Sequence, residues 1–161
     1  MIIHEEEYDL IRIDLEEVFG KVIELSANDA ERLIHTDPIL ILVLRPDQGA
    51  IFQTLVDTVV MDITGRLSDK LDDDGIEVEM PYLNIYIKQE SVSQEGLRII
   101  NEAVQLALTT GTLSYFQAGA PGYEVVEHAN KNKYQHALNT MAAAQAFRNN
   151  QRVRITQRPL N

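Results

Sequence analysis

The sequence predicts a mainly α fold: a helical bundle with a small β element and an extended C-terminal arm. Three observations support this. Apolar residues recur at helical spacing over three long stretches, and apolar and polar residues alternate over two short ones near residues 76–89. The end of the chain alternates in the same way and is basic. Residues 1–147 are therefore predicted to form a single helical domain, and residues 148–161 an extended basic arm.

The N-terminal part gives the least decisive pattern. Residues 5–25 are predicted to form a helix, or a strand followed by a helix, because apolar residues in their second half recur at helical spacing. A separate short helix is predicted over 26–35, with Ser26 or Asn28 as its N-cap. The apolar segment 37–46, which contains two prolines, is compatible with a buried strand or a short helix, and the helix is preferred.

The middle of the chain gives clearer signals. An amphipathic helix of about five turns is predicted from Asp47 onwards. The acidic segment 72–75 (Asp-Asp-Asp-Gly) is predicted to end it. Two short strands follow at 76–80 and 82–89, and Pro81 between them favours a bend or a sheet edge.

A second long helix is predicted to start at Ser91, which forms a capping box with Gln94, or at the competing cap Ser93. Small residues on its packing face would let another helix approach closely. That predicted face comprises Leu97, Ile100, Val104, Ala107, Leu108, Gly111 and Tyr115. A third, alanine-rich helix is predicted from about Tyr123 to Phe147.

The composition is that of an acidic globular domain. The chain has 161 residues, enough for one domain with a hydrophobic core, and 45% of them are hydrophobic. It contains no cysteine, which excludes disulfides, thiolate metal sites and cysteine nucleophiles. The longest apolar run, at 39–44, is too short to span a membrane, and the N-terminus lacks a signal-peptide pattern. A soluble, intracellular protein is therefore expected.

The charge is unevenly distributed. Residues 1–100 hold 22 acidic and 8 basic residues, which gives a net charge of −14. Residues 101–161 hold 3 acidic and 6 basic residues, which gives +3 and a total of −11. The acidic part should repel nucleic acid. The basic end could bind phosphate or an acidic protein surface, including that of a second copy. A protein contact is favoured, because the end lacks dense Lys/Arg clusters.

No motif for catalysis or metal binding is recognised. Segment 72–75 does not fit a calcium-binding EF-hand loop, because Lys70 and Pro81 stand where its first and last acidic ligands belong. His128 and His136 would lie roughly 12 Å apart along a helix, too far to share a metal. Phosphate-binding loops and activated-serine motifs are also missing. We therefore expect no enzymatic activity, no cofactor and no metal.

The arm is predicted to carry the interchain contacts. An isolated strand is not stable in water, so the arm is either disordered or docks on a sheet edge of its own domain or of a neighbouring chain. The predicted contact residues are Arg148, Arg152, Val153, Arg154, Ile155 and Arg158. The complementary surface, an acidic channel or docking loop, is predicted at Asp69, Asp72, Asp73, Asp74, Glu77 and Glu79.

The order of these elements resembles that of head–tail connector proteins of tailed bacteriophages, which are also called head-completion, adaptor or neck proteins. The resemblance rests on an acidic N-terminal helical region, the long helix at 48–71, and the capped helix "EGLRIINEAVQLALTTGTLSYF". It rests most of all on "NKYQHALNTMAAAQAFRNNQRVRITQRP", a helix that runs into an arginine-rich arm. It covers most of residues 48–160, and "PILILVL" has no counterpart in it.

The resemblance implies a structural virion protein that forms an oligomeric ring, typically of twelve copies, below the portal. Such a ring extends the DNA channel and docks the next neck or tail component. The implied partners are further copies of this chain, the portal protein and a downstream neck or tail protein. DNA would pass without specific binding, and no membrane is involved. The implied location is the neck of the virion, and the host cytoplasm before assembly.

A second interpretation remains open, a small acidic binding or regulatory protein that masks a basic partner. The size of the assembled species distinguishes a ring-forming protein from a masking protein. A ring-forming protein should oligomerise alone or with its portal, whereas a masking protein should stay monomeric or dimeric and form a 1:1 complex.

Overall fold

The computed structural model describes residues 1–34 and 41–147. Within these residues, four α-helices and a four-stranded antiparallel sheet form one mainly α fold, as predicted. The elements in chain order are β1 (Ile2–His4), β2 (Tyr8–Asp14), α1 (Leu15–Leu33), α2 (Gly49–Leu67), β3 (Leu71–Glu79), β4 (Tyr82–Lys88), α3 (Gln94–Gln117) and α4 (Glu124–Ala144). A short 3-10 turn, Ser68–Lys70, joins α2 to β3.

The sheet consists of two hairpins that pair through their inner strands, in the order β1-β2-β4-β3. The predicted strands correspond to β3 and β4, which turn at Met80–Pro81. The prediction missed β1, and of the two alternatives for residues 5–25 the strand followed by a helix is correct. β2 is hard to recognise from its pattern because the consecutive residues Leu10 and Ile11 are both buried, so the strand does not alternate cleanly.

The hydrophobic core lies between the helices and one face of the sheet. Residues from both layers form this core. The following members are at most 2% exposed: Ile11, Phe52, Ile63, Leu83, Ile85, Ile87, Leu97 and Val104. Phe19 of α1 stacks on Phe52 of α2, with ring centroids 4.6 Å apart. Each large apolar side chain that is buried in this way contributes about 1.5–3 kcal/mol, so the two layers hold each other in place.

Helices α3 and α4 pack closely at Gly111, as the small residues predict. A Cβ atom at this position would lie 2.6 Å from Cε1 of Tyr134. The predicted burial of Tyr115 is wrong, because its side chain is 38% exposed. Its ring lies at the rim of the interface, and its hydroxyl donates a hydrogen bond to Asp62 of α2 at 2.8 Å.

The predicted helix over 26–35 is not separate, because α1 continues through this segment to Leu33. Ser26 is fully buried inside α1 and caps nothing. Its hydroxyl donates to the carbonyl of Ile23 and accepts the backbone N–H of Leu44, each at 2.9 Å. The N-cap of α1 is Asp14, whose carboxylate accepts backbone N–H groups of the first turn.

The helix preferred for 37–46 is wrong for the part that the structure describes, since residues 41–45 form no helix or strand. Side chains satisfy the backbone there instead, because Leu42 donates its N–H to the hydroxyl of Tyr123 at 2.7 Å. Residues 37–40 lie outside the described residues.

Three further boundaries are now fixed. Helix α2 ends at Leu67, so the acidic segment 72–75 does not terminate it but belongs to β3. Of the two competing caps, Ser93 is correct, because its hydroxyl accepts the N–H of Gly96 at 3.0 Å. The alanine-rich helix is slightly shorter than predicted at both ends.

A buried polar cluster joins α1, α3 and α4. One carboxylate oxygen of Asp29 accepts hydrogen bonds from the side-chain amides of Gln117 at 2.8 Å and Asn130 at 3.2 Å. Asn130 also donates to the amide oxygen of Gln117 at 2.9 Å. All three residues are at most 7% exposed. The cluster therefore depends on the carboxylate as its acceptor.

Substitution of Asp29→Leu is expected to lower the free energy of unfolding by about 1–3 kcal/mol, because the buried amide of Gln117 loses its acceptor. Urea denaturation measures this. The control Glu31→Leu removes an exposed carboxylate from the same helix and should change stability by less than about 0.5 kcal/mol. Equal effects of the two substitutions would contradict the structural role of the cluster.

Candidate interface on the sheet

The face of the sheet that points away from the core carries an aromatic and polar surface. Tyr8 of β2 and Tyr86 of β4 meet edge to face, with ring centroids 5.0 Å apart. The guanidinium of Arg12 lies 5.1 Å from the ring centre of Tyr82 and donates to the side chain of Asn84 at 2.9 Å. We call these five residues the tyrosine face. Tyr82 is exposed, Tyr8, Arg12 and Tyr86 are half-buried, and Asn84 is buried. Tyrosine and arginine are enriched in protein interfaces, so the accessible part of this face is a candidate contact surface.

Strand β3 extends this face with negative charge. Glu77 pairs with Asn84 and Glu79 with Tyr82, so both carboxylates lie beside the tyrosine face. A hydrogen bond to Glu79, followed by weaker effects that include the nearby charge of Asp74, raises the pKa of Glu77. Partial burial and then the charge of Glu77 raise the pKa of Tyr86. These shifts reflect a crowding of negative charge at this side of the sheet.

The opposite side of β3 is apolar. Ile76 and Val78 are partly buried against the hydrophobic core, where they pair with Ile85 and Leu83 of β4. The strand therefore alternates, with carboxylates on the tyrosine face and aliphatic side chains towards the helices. Any strand added at its free edge meets the same two environments.

The start of β3 contains a large irregular bulge. Leu71 pairs with Ile87 and Ile76 with Ile85. Between these two pairs, β3 advances by five residues while β4 advances by two. The extra length holds the three aspartates of segment 72–75, and Gly75 has a φ of +62°. Asp69 lies just before the strand, in the 3-10 turn. The acidic residues predicted as a channel or docking loop thus lie mainly on a bulged edge strand and not on a loop.

Among the residues that the structure describes, β3 is paired on one side only. Charged residues and bulges on edge strands ordinarily prevent pairing between identical edges. In β3 the acidic side chains all have the same sign; they are Asp72, Asp73, Asp74, Glu77 and Glu79. They disfavour pairing with a second copy of β3 and favour pairing with a basic strand.

The structure thus brings the predicted acidic residues together along one edge of the sheet. The predicted contact residues of the arm lie outside the described residues; they are Arg148, Arg152, Val153, Arg154, Ile155 and Arg158. Sequence analysis missed the tyrosine face. The alternation in Tyr82–Lys88 is the one signal that pointed to it, because it places Tyr82 and Tyr86 on the side opposite the aliphatic residues, whereas β2 does not alternate cleanly.

Over residues 1–34 and 41–147, no group of three or more histidine, aspartate or glutamate side chains could hold a metal ion. In the same residues, none of the helices combines the length and apolar character needed to cross a membrane. His128 and His136 are both exposed on α4.

Comparison with known proteins gives no match to this chain, whether with protein families, with curated proteins or with solved structures.

Proposed function

We propose that this chain is a structural assembly protein without enzymatic activity, a head–tail adaptor that forms an oligomeric ring below the portal of a tailed bacteriophage. In this proposal the C-terminal arm of one copy adds to the free edge of β3 in the next copy. The ring extends the DNA channel and docks the next neck or tail component.

The observation that carries this proposal is the match between β3 and the arm. In β3, Glu77 and Glu79 point to the tyrosine face while the residues between and before them are aliphatic. In the arm, Arg152 and Arg154 alternate with Val153 and Ile155 in the same way. Strand addition would place the arginines beside the glutamates and the aliphatic side chains along the core.

If the arm adds antiparallel to β3, chain length favours pairing between copies. Phe147, the last described residue, lines a cavity with Lys70 and Gln89, at the end of the sheet where β3 begins. Antiparallel pairing would place Arg152 near Glu79, at the other end of the sheet. Strand β4 covers this distance in six steps, about 20 Å, whereas the five steps from Phe147 to Arg152 reach about 17 Å at most. A second copy removes this restriction.

The proposed joint suits a ring. Contacts between neighbouring copies in a ring are heterologous, so each copy needs two different complementary surfaces. The acidic edge of β3 and the basic arm are such a pair. Carboxylates that face the channel would repel phosphate, so that DNA passes without binding. The tyrosine face lies beside the joint and is available for the portal protein or a neck protein.

A second candidate function is a small acidic protein that masks a basic partner. The free acidic edge of β3 favours it equally, because a basic strand of another protein could pair there. The arm distinguishes the two candidates, since only self-assembly requires it.

Removal of residues 148–161 is expected to abolish assembly and to leave the domain folded, because the described core is complete without them. Mass photometry of the full-length and truncated chains, alone and with candidate portal proteins, measures assembly, and circular dichroism measures thermal unfolding. Loss of cooperative unfolding would show that the arm pairs within its own chain. Unchanged assembly of the truncated chain would overturn the proposed joint.

A further inference from the structure

A groove lies on the helical side of the molecule, away from the edge of β3. It has a volume of about 600 Å³ and is bordered by α1 on one side and α4 on the other, with α3 between them. Leu25, Leu106 and Val126 contribute apolar surface. Val125, at its rim, is 81% exposed. Exposed apolar side chains gathered in a groove indicate a contact surface.

Positive charges surround this apolar groove. Lys21 and Arg32 of α1 and Lys133 of α4 line it, together with one carboxylate, that of Asp29. The lining thus carries three cations against one anion, in a chain whose net charge is −11. Lys21 pairs with Glu24 at 3.8 Å and Arg32 with Asp29 at 3.7 Å. Both contacts are long, and both cations are exposed although Asp29 itself is buried, so Lys21 and Arg32 keep donors free for carboxylates of a ligand.

The length of the groove matches a short α-helix. Its wall on α1 runs from Lys21 to Arg32, which is about 16 Å or three helical turns. The buried polar cluster, in which Asp29 contacts Asn130, connects α1 to α4 at the groove. Because α1 and α4 meet at this cluster, a further helix would pack on the outer surface that they form with α3, and not between them.

We propose that this groove binds an amphipathic helix of a different protein, one that carries acidic residues beside its apolar face. A second copy is a poor source, because all four described helices already bury apolar faces in its core. The basic arm is also a poor occupant, because Lys21, Arg32 and Lys133 would repel it. In the proposed adaptor this groove would be a second joint, independent of the contact between β3 and the arm.

The proposal is tested by fluorescence anisotropy with the full-length chain. The probe is a labelled helical peptide of about 14 residues, with leucines on one face and glutamates beside them. A matched peptide carries lysines in place of the glutamates. We expect the glutamate peptide to bind at least about tenfold more tightly than the lysine peptide. Equal affinities, tighter binding of the lysine peptide, or no binding of either would overturn the proposal.

Matched variants locate the binding site. Lys133→Glu should weaken binding of the glutamate peptide about three- to fivefold, and Val125→Asp about tenfold or more. The control Lys131→Glu makes the same charge change on the same helix but outside the groove, and should alter affinity less than twofold. Equal losses for Lys131→Glu and Lys133→Glu would show attraction by overall charge and contradict a site in the groove. Both results are independent of whether the arm mediates assembly.

Discussion

Substitution of Gly111→Val is expected to lower the free energy of unfolding by about 2–3 kcal/mol or more, and the melting temperature by about 4–12 °C. The reason is the contact between α3 and α4. A Cβ atom at Gly111 would lie 2.6 Å, 2.8 Å and 3.0 Å from three ring atoms of Tyr134. These distances are too short for van der Waals contact, so either the ring or a helix has to move.

The ring of Tyr134 has little freedom to move. Its hydroxyl donates a hydrogen bond of 2.5 Å to Asp62 of α2, and its ring contacts that of Tyr115 at 6.0 Å between centroids. Burial, with the hydrogen bond to Asp62, raises the pKa of the Tyr134 hydroxyl, so it stays protonated as a donor. Displacement of the ring would break this contact among three helices, which adds to the cost of overpacking.

The matched control is Gly65→Val on α2, where a new Cβ atom meets nothing within 4 Å. Valine has a higher helix propensity than glycine, so this substitution should raise stability by a few tenths of a kcal/mol. Thermal unfolding of the two variants side by side measures the difference. Similar melting temperatures for both would show that the helices tolerate a wider separation at Gly111.

The helices could largely be predicted because each long helix has one apolar face. The spacing of Ala107 and Gly111 even indicated where a second helix approaches, since a residue without a large side chain leaves room for a neighbour. The continuity of α1 through Ser26 could not be predicted. A serine inside a helix and a serine at its start use the same hydroxyl, and the two are distinguished by its partners in the structure, here Ile23 and Leu44.

The candidate interface could be predicted only in part. Composition identified the acidic residues near 72–79, but aspartate and glycine occur in turns and in bulges alike, so the sequence could not place them in a strand. The tyrosine face depends on the pairing of β2 with β4, which brings Tyr8 opposite Lys88. Contacts over such long sequence separation leave no local pattern, and the register of the sheet had to be observed.

Reversal of charge on either side of the proposed joint is expected to prevent self-assembly. One variant carries Glu77→Lys and Glu79→Lys on β3, and the other carries Arg152→Glu and Arg154→Glu in the arm. Each turns two attractive pairs into repulsive ones, which should weaken the contact by about 1.5–3 kcal/mol, or roughly 10- to 100-fold in the dissociation constant. Mass photometry at a concentration where the unmodified chain assembles should show only single chains for each variant.

Mixing the two variants should restore assembly, because the basic strand of one then meets the acidic arm of the other, and the reverse pairing is also complementary. Raising the salt concentration to about 0.5 M should weaken the mixed assembly, since screening then acts over a few ångströms. The control variant Glu31→Lys/Asp57→Lys changes net charge as the β3 variant does, but at exposed helical positions, and should still self-assemble. If the mixture stays monomeric while each variant remains folded, β3 and the arm are not the two halves of one contact, and the ring needs another joint.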